Sequence, residues 1–486
     1  MRHTPTAHPD AQHETPAPAL LAPGMELDGF RIEERLHQGG MANLWRVSRI
    51  GAAPADEPPL IMKVPRIKGG EDPASIVGFE VEYLLMPALK GPHVPRYVAR
   101  GDWTGQAYIV MEHIGGESLR PRLFQSPLPL DEVIDMGQRV ALALQDLHEQ
   151  QVVHLDIKPS NILFRPDGQA VLIDFGLSRH ELLPDLLKEE FTLPMGTGPY
   201  MSPEQIHHIR NDPRSDLFAL GVMLYHFATG ERPFGQPNSI HGLRRRLYIE
   251  PVPPRAIDPD IPPWLQEVIL RCLEIKPERR YQSAAELAHD LQHPDEVPLT
   301  QRSQRQERSN ALRRFKRWFF ANTSDASPAP APSQEQTSLG PIIMAAVDIQ
   351  NATPGLLAQL RETVRRTVQT EPGARLACVS VMRTARIGMD ALTDHEGKSV
   401  HVKQLIGLRH WARPISRSLK LEDGQLTFHV LEAPDPANAI IDFAGKNHVD
   451  HIVMGARGNS ALRRYLGSVS AQVVAEADCS VTVVRE

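Results

Sequence analysis

The sequence predicts two folded domains in series. The first is an α+β unit in which strands precede helices, and the second is an α/β unit with a doubly wound parallel sheet. Three observations lead there. The chain has 486 residues, too many for one core when single domains run about 100–200 residues. Its first structured part sets short β-like runs ahead of longer helical periods. Its last part alternates apolar strand candidates with helical stretches, a pattern that places helices on both faces of a parallel sheet.

The elements follow in order. Residues 1–24 are rich in Pro, Ala, Thr and His without periodicity and read as a disordered tail. His3, His8 and His13 have a spacing that fits no compact metal site. Residues 25–293 form the first domain. Ile109-Val110-Met111 is its clearest strand, and Val133–Leu147 and Leu217–Phe227 are its clearest helices. Residues 294–338 lose periodicity. They hold a basic stretch, Arg302 to Arg317, and an Ala/Pro/Ser run from Ser324 to Ser333, and they read as a linker. Residues 339–486 form the second domain. Its strand candidates are Ile342–Val347, Leu376–Val381, Leu426–Leu431, His451–Met454 and Val481–Val484, and its helix candidates are Leu357–Val368, Ala437–Lys446 and Ser468–Ala477. The stretch Asp390–Leu426 is longer than a tight connection and is expected to cover a pocket.

Composition narrows the function. A net charge of −6 argues against nucleic-acid binding by the chain as a whole. Three cysteines (Cys272, Cys378, Cys479) lie far apart, which excludes a disulfide framework and points to a reducing cytoplasm. No apolar run reaches the roughly 18–20 residues of a membrane span, and no charged-then-apolar leader opens the chain.

Phosphate transfer from ATP needs a cation on the phosphates, oxygen ligands for Mg²⁺ and an acceptor for the hydroxyl proton. Residues 36–204 offer each. In His154-Leu155-Asp156-Ile157-Lys158-Pro159-Ser160-Asn161, Asp156 can accept the proton, Lys158 can steady the phosphate and Asn161 can bind the metal. Asp174-Phe175-Gly176 follows the apolar run Ala170–Ile173, which puts a carboxylate at a strand end as a second metal ligand. Asp-Phe-Gly alone is a common tripeptide. Its pairing with the upstream loop at this spacing is what carries the reading.

These segments resemble the catalytic and magnesium loops of the eukaryotic-like Ser/Thr protein kinase family, found also in bacteria. The resemblance implies the bilobal kinase fold, ATP and Mg²⁺ as cofactors and protein Ser/Thr hydroxyls as substrates. Lys63 in Leu60-Ile61-Met62-Lys63 then matches the ATP lysine, and Glu82 its helix partner. Gly39, Gly40 and Leu44 match the glycine-rich loop and its following strand. Met111, Glu112 and Ile114 match the hinge, where Glu112 and Ile114 would offer backbone groups to adenine. Gly196 to Glu204 matches the substrate-docking end of the activation loop, Glu204 is expected to pair with Arg280, and Asp216 to Gly221 fits the helix that braces the catalytic loop.

Three positions depart from the family pattern. His37 and Ala42 replace two of the loop glycines, and a β-carbon there stiffens the loop and crowds the phosphates. Leu155 replaces an Arg that ordinarily pairs with a phosphorylated activation loop, and Ser202 replaces an Ala.

The second domain has its own glycines. Met454-Gly455-Ala456-Arg457-Gly458 follows a strand, and Gly467-Ser468 opens a helix, an arrangement able to cradle phosphate. With Val347-Asp348 at the first strand's end, the region resembles the universal stress protein family. The resemblance implies that Asp348, Val381, Met454, Gly455, Gly458, Gly467 and Ser468 line a nucleotide, and that such domains pair as homodimers. Eight residues separate Gly458 from Gly467, one fewer than the usual pattern.

In the linker, Ala311 to Phe320 mixes cations with aromatics. It fits either a helix packed on the first domain or a weak contact with an anionic membrane surface. The sequence thus predicts a Ser/Thr protein kinase with a nucleotide-responsive C-terminal domain. The alternative is a pseudokinase, an ATP-binding scaffold in stress signalling.

Overall fold

A computed structural model describes residues 21–39, 42–51, 58–66, 73–103, 105–307, 340–384, 399–422, 424–456 and 467–486. The first domain opens with an antiparallel sheet. Its strands are β1 (Glu26–Leu27), β2 (Phe30–Gln38), β3 (Ala42–Arg49), β4 (Leu60–Pro65), β5 (Tyr97–Gly101) and β6 (Tyr108–Glu112), in the order β1-β2-β3-β4-β6-β5. Side chains alternate across a strand. Phe30, Ile32, Trp45, Val47, Leu60, Met62, Tyr108 and Val110 therefore bury together on one face. Ile109 and Met111 point the other way, into the cluster that contains Ile76 and Phe79 of helix α1 (Pro73–Leu85).

A helical lobe follows: α2 (Leu130–Glu149), α3 (Leu186–Glu190), α4 (Pro203–Ile206), α5 (Arg214–Thr229), α6 (Ile240–Arg244), α7 (Pro263–Cys272) and α8 (Ala284–Gln292). Helix α5 is buried from Ser215 to Thr229, which makes it the axis on which α2 and α7 pack. Two small ribbons sit beside it. β7 (Val152–Val153) pairs with β10 (Arg179–His180), and β8 (Ile162–Phe164) pairs with β9 (Ala170–Leu172). These ribbons fix the catalytic loop at one end and the activation segment at the other.

Packing against the first domain continues past residue 293. Residues 294–307 dock on α7, where Val297 and Ser303 are buried. The Glu267 carboxylate accepts from Thr300 N (3.1 Å), Ser303 N (3.0 Å) and Arg302 Nε (2.8 Å). Polar residues satisfied this way leave no hydrophobic period in the sequence. The basic segment 311–320 lies outside the described residues.

The C-terminal domain holds five parallel strands: β11 (Ile342–Ala346), β12 (Arg375–Arg383), β13 (Leu426–Ala433), β14 (His451–Gly455) and β15 (Ser480–Val484). Their order is β13-β12-β11-β14-β15. Helices α9 (Pro354–Thr370) and α10 (Val400–Leu419) share one apolar cluster with Ile343, Ala345 and Val453. Helices α11 (Pro436–Lys446) and α12 (Ser468–Glu476) share the opposite cluster with Met344, Ala346 and Ile452. Neighbouring residues facing opposite layers are what a doubly wound sheet requires. The stretch Asp390–Leu426 was expected to cover a pocket. From Val400 it forms a 20-residue helix against β12 and β13, burying Leu405, Leu408, Trp411 and Ile415, and residues 390–398 lie outside the described residues.

Candidate functional site

Two polar constellations meet where the sheet faces the helical lobe. In the first, Lys63 on β4 donates from Nζ to Glu82 Oε2 on α1 (2.5 Å) and to Asp174 Oδ1 (2.9 Å). Burial works against the Lys63 charge, but Asp174 and Glu82 more than offset it and hold the ammonium above its usual range. In return the Lys63 charge holds the Asp174 carboxyl below the usual carboxylate range. Burial pushes Glu82 up. A cation spanning two carboxylates is thus fixed at the strand that faces α1.

The second constellation surrounds Asp156. Its Oδ1 accepts from Thr197 Oγ1 (2.6 Å) and Thr197 N (3.2 Å). Its Oδ2 accepts from Lys158 Nζ (2.5 Å) and Asn161 Nδ2 (3.2 Å). Lys158 Nζ also donates to Thr197 Oγ1 (3.0 Å). The Ile173 N–H donates to Asn161 O (3.0 Å), which brings Asn161 beside the segment carrying Asp174. Mg²⁺ ordinarily takes one or two protein oxygens and completes its shell with phosphates and water, and the Asn161 amide with the Asp174 carboxylate fits that donor set.

The loop is strained and braced. Leu155 has φ 63°, a left-handed conformation unfavourable to a side chain with a β-carbon. Asp216 on α5 accepts from His154 N (2.8 Å), Leu155 N (2.8 Å) and the His148 ring (2.9 Å). From the other side Gln205 Nε2 donates to Leu155 O (2.8 Å). The Leu155 side chain is buried, so it offers nothing to a phosphate. The activation segment is instead anchored by a carboxylate: Asp185 accepts from Arg210 Nε (3.1 Å to each oxygen) and lies 3.7 Å from Arg179 Nε.

Glu204 and Arg280 pair bidentately (2.6 and 2.8 Å) and are fully buried. Ser202 forms a capping box with Gln205 at the start of α4, and its hydroxyl reaches Ser215, which donates to Glu204. The serine is therefore tied into the buried network.

Around the adenine side, Leu44 pairs with Lys63 across β3 and β4, and Met111 with Ile61 across β4 and β6. The Glu112 N–H is taken by Arg96 O (2.9 Å), and its carboxylate grips Arg165. The Ile114 N–H makes no hydrogen bond among the described residues, which leaves it available to a base. Gly39 N closes the hairpin on Ala42 O (3.0 Å), while Gly40 lies outside the described residues. Thr197 was read only as part of a docking segment, yet it contacts both Asp156 and Lys158. Its hydroxyl at the end of the activation segment was the available signal.

In the C-terminal domain, Asp348, Met454 and Gly455 lie at the carboxyl ends of β11 and β14. There the chain, having wound one way through β12 and β13, turns to wind the other. Such a switch point opens a crevice where ligands bind. Val381 lies two residues past the end of the β11–β12 pairing. Asp348 Oδ1 accepts from Asn351 N and Nδ2 (3.1 Å each). A β-carbon on Gly455 would stand 3.1 Å from Leu356. Gly467 caps α12 and Ser468 is exposed at its first turn. Gly458 lies outside the described residues.

Comparison with known proteins gives two family matches, a protein kinase domain over residues 63–293 and the universal stress protein family over 342–485. A probable serine/threonine-protein kinase of Clostridium acetobutylicum is 29% identical over 263 residues, 54% of this chain and 39% of its own length. The serine/threonine-protein kinase PknA of Mycobacterium tuberculosis is 32% identical over 274 residues, 54% of this chain and 61% of its own. The tyrosine-protein kinase MasK of Myxococcus xanthus is 32% identical over 277 residues, 54% of this chain and 42% of its own. The chain thus spans less than two thirds of each of these relatives. By these matches and the two folds that carry them, residues 63–293 form a protein kinase domain and residues 342–485 a domain of the universal stress protein type.

Proposed function

We propose that the chain transfers the γ-phosphate of ATP to Ser/Thr hydroxyls of protein substrates, with the C-terminal domain as a nucleotide-responsive regulator. One observation carries the reading: Asp156 is held on both oxygens, by Thr197 on one and by Lys158 and Asn161 on the other, beside a Lys63 already paired with Glu82 and Asp174. Asp156 is thereby oriented to take the proton of an incoming hydroxyl. Lys158 supplies positive charge next to that proton's destination, and Lys63 presents its ammonium to the phosphates, steered by Glu82. Asn161 and Asp174 would hold Mg²⁺, which neutralises the charge of the transferred phosphate. Thr197 ties the substrate-docking segment to the proton acceptor, so docking and chemistry share one anchor.

The relatives named for Ser/Thr specificity and the Lys158-Pro159 pair favour hydroxyls of Ser and Thr over Tyr. A reducing cytoplasm suits three unpaired cysteines. Pairing of two chains through the C-terminal domain and a surface contact through 311–320 are subordinate parts of this reading. The pseudokinase alternative draws on His37 and Ala42 in the glycine-rich loop. The deciding experiment is Mg²⁺-dependent transfer of labelled γ-phosphate to the chain itself or to a generic protein. Wild type should exceed Asp174→Ala by a wide margin, and equal incorporation would establish the scaffold reading instead.

A further inference from the structure

The two domains meet through charges that no catalytic role uses. Arg409 Nη2 on α10 lies 2.5 Å from Glu80 Oε1 on α1, and Glu80 is 4% exposed. The guanidinium sits 4.4 Å from the Phe428 ring centroid and 5.7 Å from that of Trp103, so the cation fills an apolar slot. A second set grips the activation segment. Arg375 at the start of β12 makes a bidentate pair with Glu189 (2.7 and 2.6 Å). The buried His429 ring on β13 bonds Glu190 (2.9 Å), and Lys446 Nζ donates to Phe191 O (3.1 Å). Three carboxylates of the kinase domain thus face Arg375, Arg409, Lys446 and His429 of the other.

These contacts reach the catalytic centre by a short route. Glu80 and Glu82 are two residues apart on α1, so they point to roughly opposite sides of the helix. One meets Arg409 and the other meets Lys63. Leu186 and Leu187 of α3 pack on Val77 and beside Val81 and Leu84 of α1, so the gripped segment presses on the same helix. Gly78 of α1 abuts the magnesium loop: a β-carbon there would stand 3.2 Å from Gly176 O, and one on Gly176 would stand 3.1 Å from Gly78 O. A shift of α1 therefore moves Glu82 and the Asp174 loop together.

We propose that Arg409 is a positioning residue for phosphoryl transfer. Through Glu80 it holds α1 where Glu82 meets Lys63, while Arg375 and His429 hold the activation segment against the same helix. The C-terminal domain is then a clamp that supports the assembled site. This deepens the regulatory part of the proposed function and rests on the kinase reading for its activity readout.

The test uses the full chain and Arg409→Met, Arg409→Lys, Glu80→Gln and Glu82→Gln. Arg409→Met should lower kcat for labelled phosphate transfer by roughly fivefold or more, the span of an ordinary coupling between sites. Arg409→Lys should recover part of the loss. In a Glu82→Gln background Arg409→Met should cost nothing further, because its effect passes through Glu82. A merely structural residue would subtract again. Amide exchange should rise in 73–85 and 186–190 in Arg409→Met and Glu80→Gln alike. Unchanged or raised kcat in Arg409→Met with unchanged exchange in α1 overturns the clamp, as does an undiminished loss in the Glu82→Gln background. If wild type transfers no more label than Asp174→Ala, the kinase reading fails. The exchange measurement then decides the clamp alone: faster exchange in 73–85 upholds it, and none overturns it.

Discussion

The two candidate nucleotide sites are built on different physics. In the kinase domain, Lys63, Glu82, Asp156, Lys158, Asn161, Asp174 and Thr197 come from distant parts of the chain and satisfy one another at 2.5–3.2 Å. At the carboxyl ends of β11 and β14 the side chains are few among the described residues. Asp348 holds a local turn with Asn351, and the glycines at the strand and helix ends, Gly455 and Gly467, present backbone. The first site spends buried charge to orient groups for chemistry. The second offers a shaped crevice, which suits binding without turnover. A reaction needs the former, since charge fixed in advance is what lowers a barrier.

The comparison breaks most visibly at Asp156. Asp156→Asn keeps the shape and the bonds from Thr197 but removes the proton acceptor, and transfer should fall by about 10²–10⁴-fold. Steady-state rates with saturating ATP check it, and a loss below tenfold would mean that Asp156 only positions. No single side chain in the C-terminal crevice should have a comparable effect on transfer.

Next in size is the buried pair beneath the substrate-docking segment. Arg280→Ala leaves the Glu204 carboxylate buried without its partner, which costs about 3–5 kcal/mol in comparable sites. Urea unfolding of the full chain should show the loss in the transition that also reports on Trp264 of α7. A change under 1 kcal/mol would mean that water or a rearranged Arg214 replaces the guanidinium, roughly the value of an exposed pair.

Which parts were legible follows from the same contrast. The catalytic loop and the Asp174 segment could be read because their residue types are dictated by chemistry at fixed spacing, and the Glu204–Arg280 pair because the family resemblance implies it. The sheet strands could be read because Ile343 and Met344, or Ile452 and Val453, must be apolar on both faces. Helix Val400–Leu419 escaped because His401, His410, Arg413 and Pro414 interrupt it, although Leu405, Leu408, Ala412 and Ile415 keep a helical period. Residues 294–307 escaped because Glu267 and Gln266 bind them by polar contacts. The activation segment's anchor escaped too. Leu155 showed what was missing, but only the fold shows that Asp185 meets Arg179 and Arg210.

That anchor separates the two domains' modes of control. If a resident carboxylate holds the activation segment, stripping phosphate from the chain should leave the transfer rate nearly unchanged. Asp185→Asn should lower it by about tenfold to a hundredfold, the weight of one charge-assisted contact of about 1.5–3 kcal/mol. A rate that collapses on phosphatase treatment while Asp185→Asn behaves as wild type would transfer the switch to a phosphorylated hydroxyl.

The smallest expected effect concerns the glycine-rich loop. His37 lies in β2 with its ring atoms Cδ2 and Nε2 3.6 Å from where a Gly39 β-carbon would be, and Gly39 N is already closed on Ala42 O (3.0 Å). Both contacts restrain Gly39 at a place where phosphates require backbone approach. His37→Gly with Ala42→Gly restores freedom to two positions at a cost of roughly 0.5–1 kcal/mol each in strand stability. The expected result is a KM for ATP lowered a few-fold, with kcat little changed, because the residues that meet the transferred phosphate are untouched. Asp348→Ala gives the matched measurement on the other crevice: ATP bound in a Lys63→Met background should weaken while the KM of the otherwise intact kinase stays put. Should the glycine pair leave KM where it is and Asp348→Ala raise it, the nucleotide that governs turnover is sensed in the C-terminal domain, and the stiffness of the kinase loop is irrelevant to it.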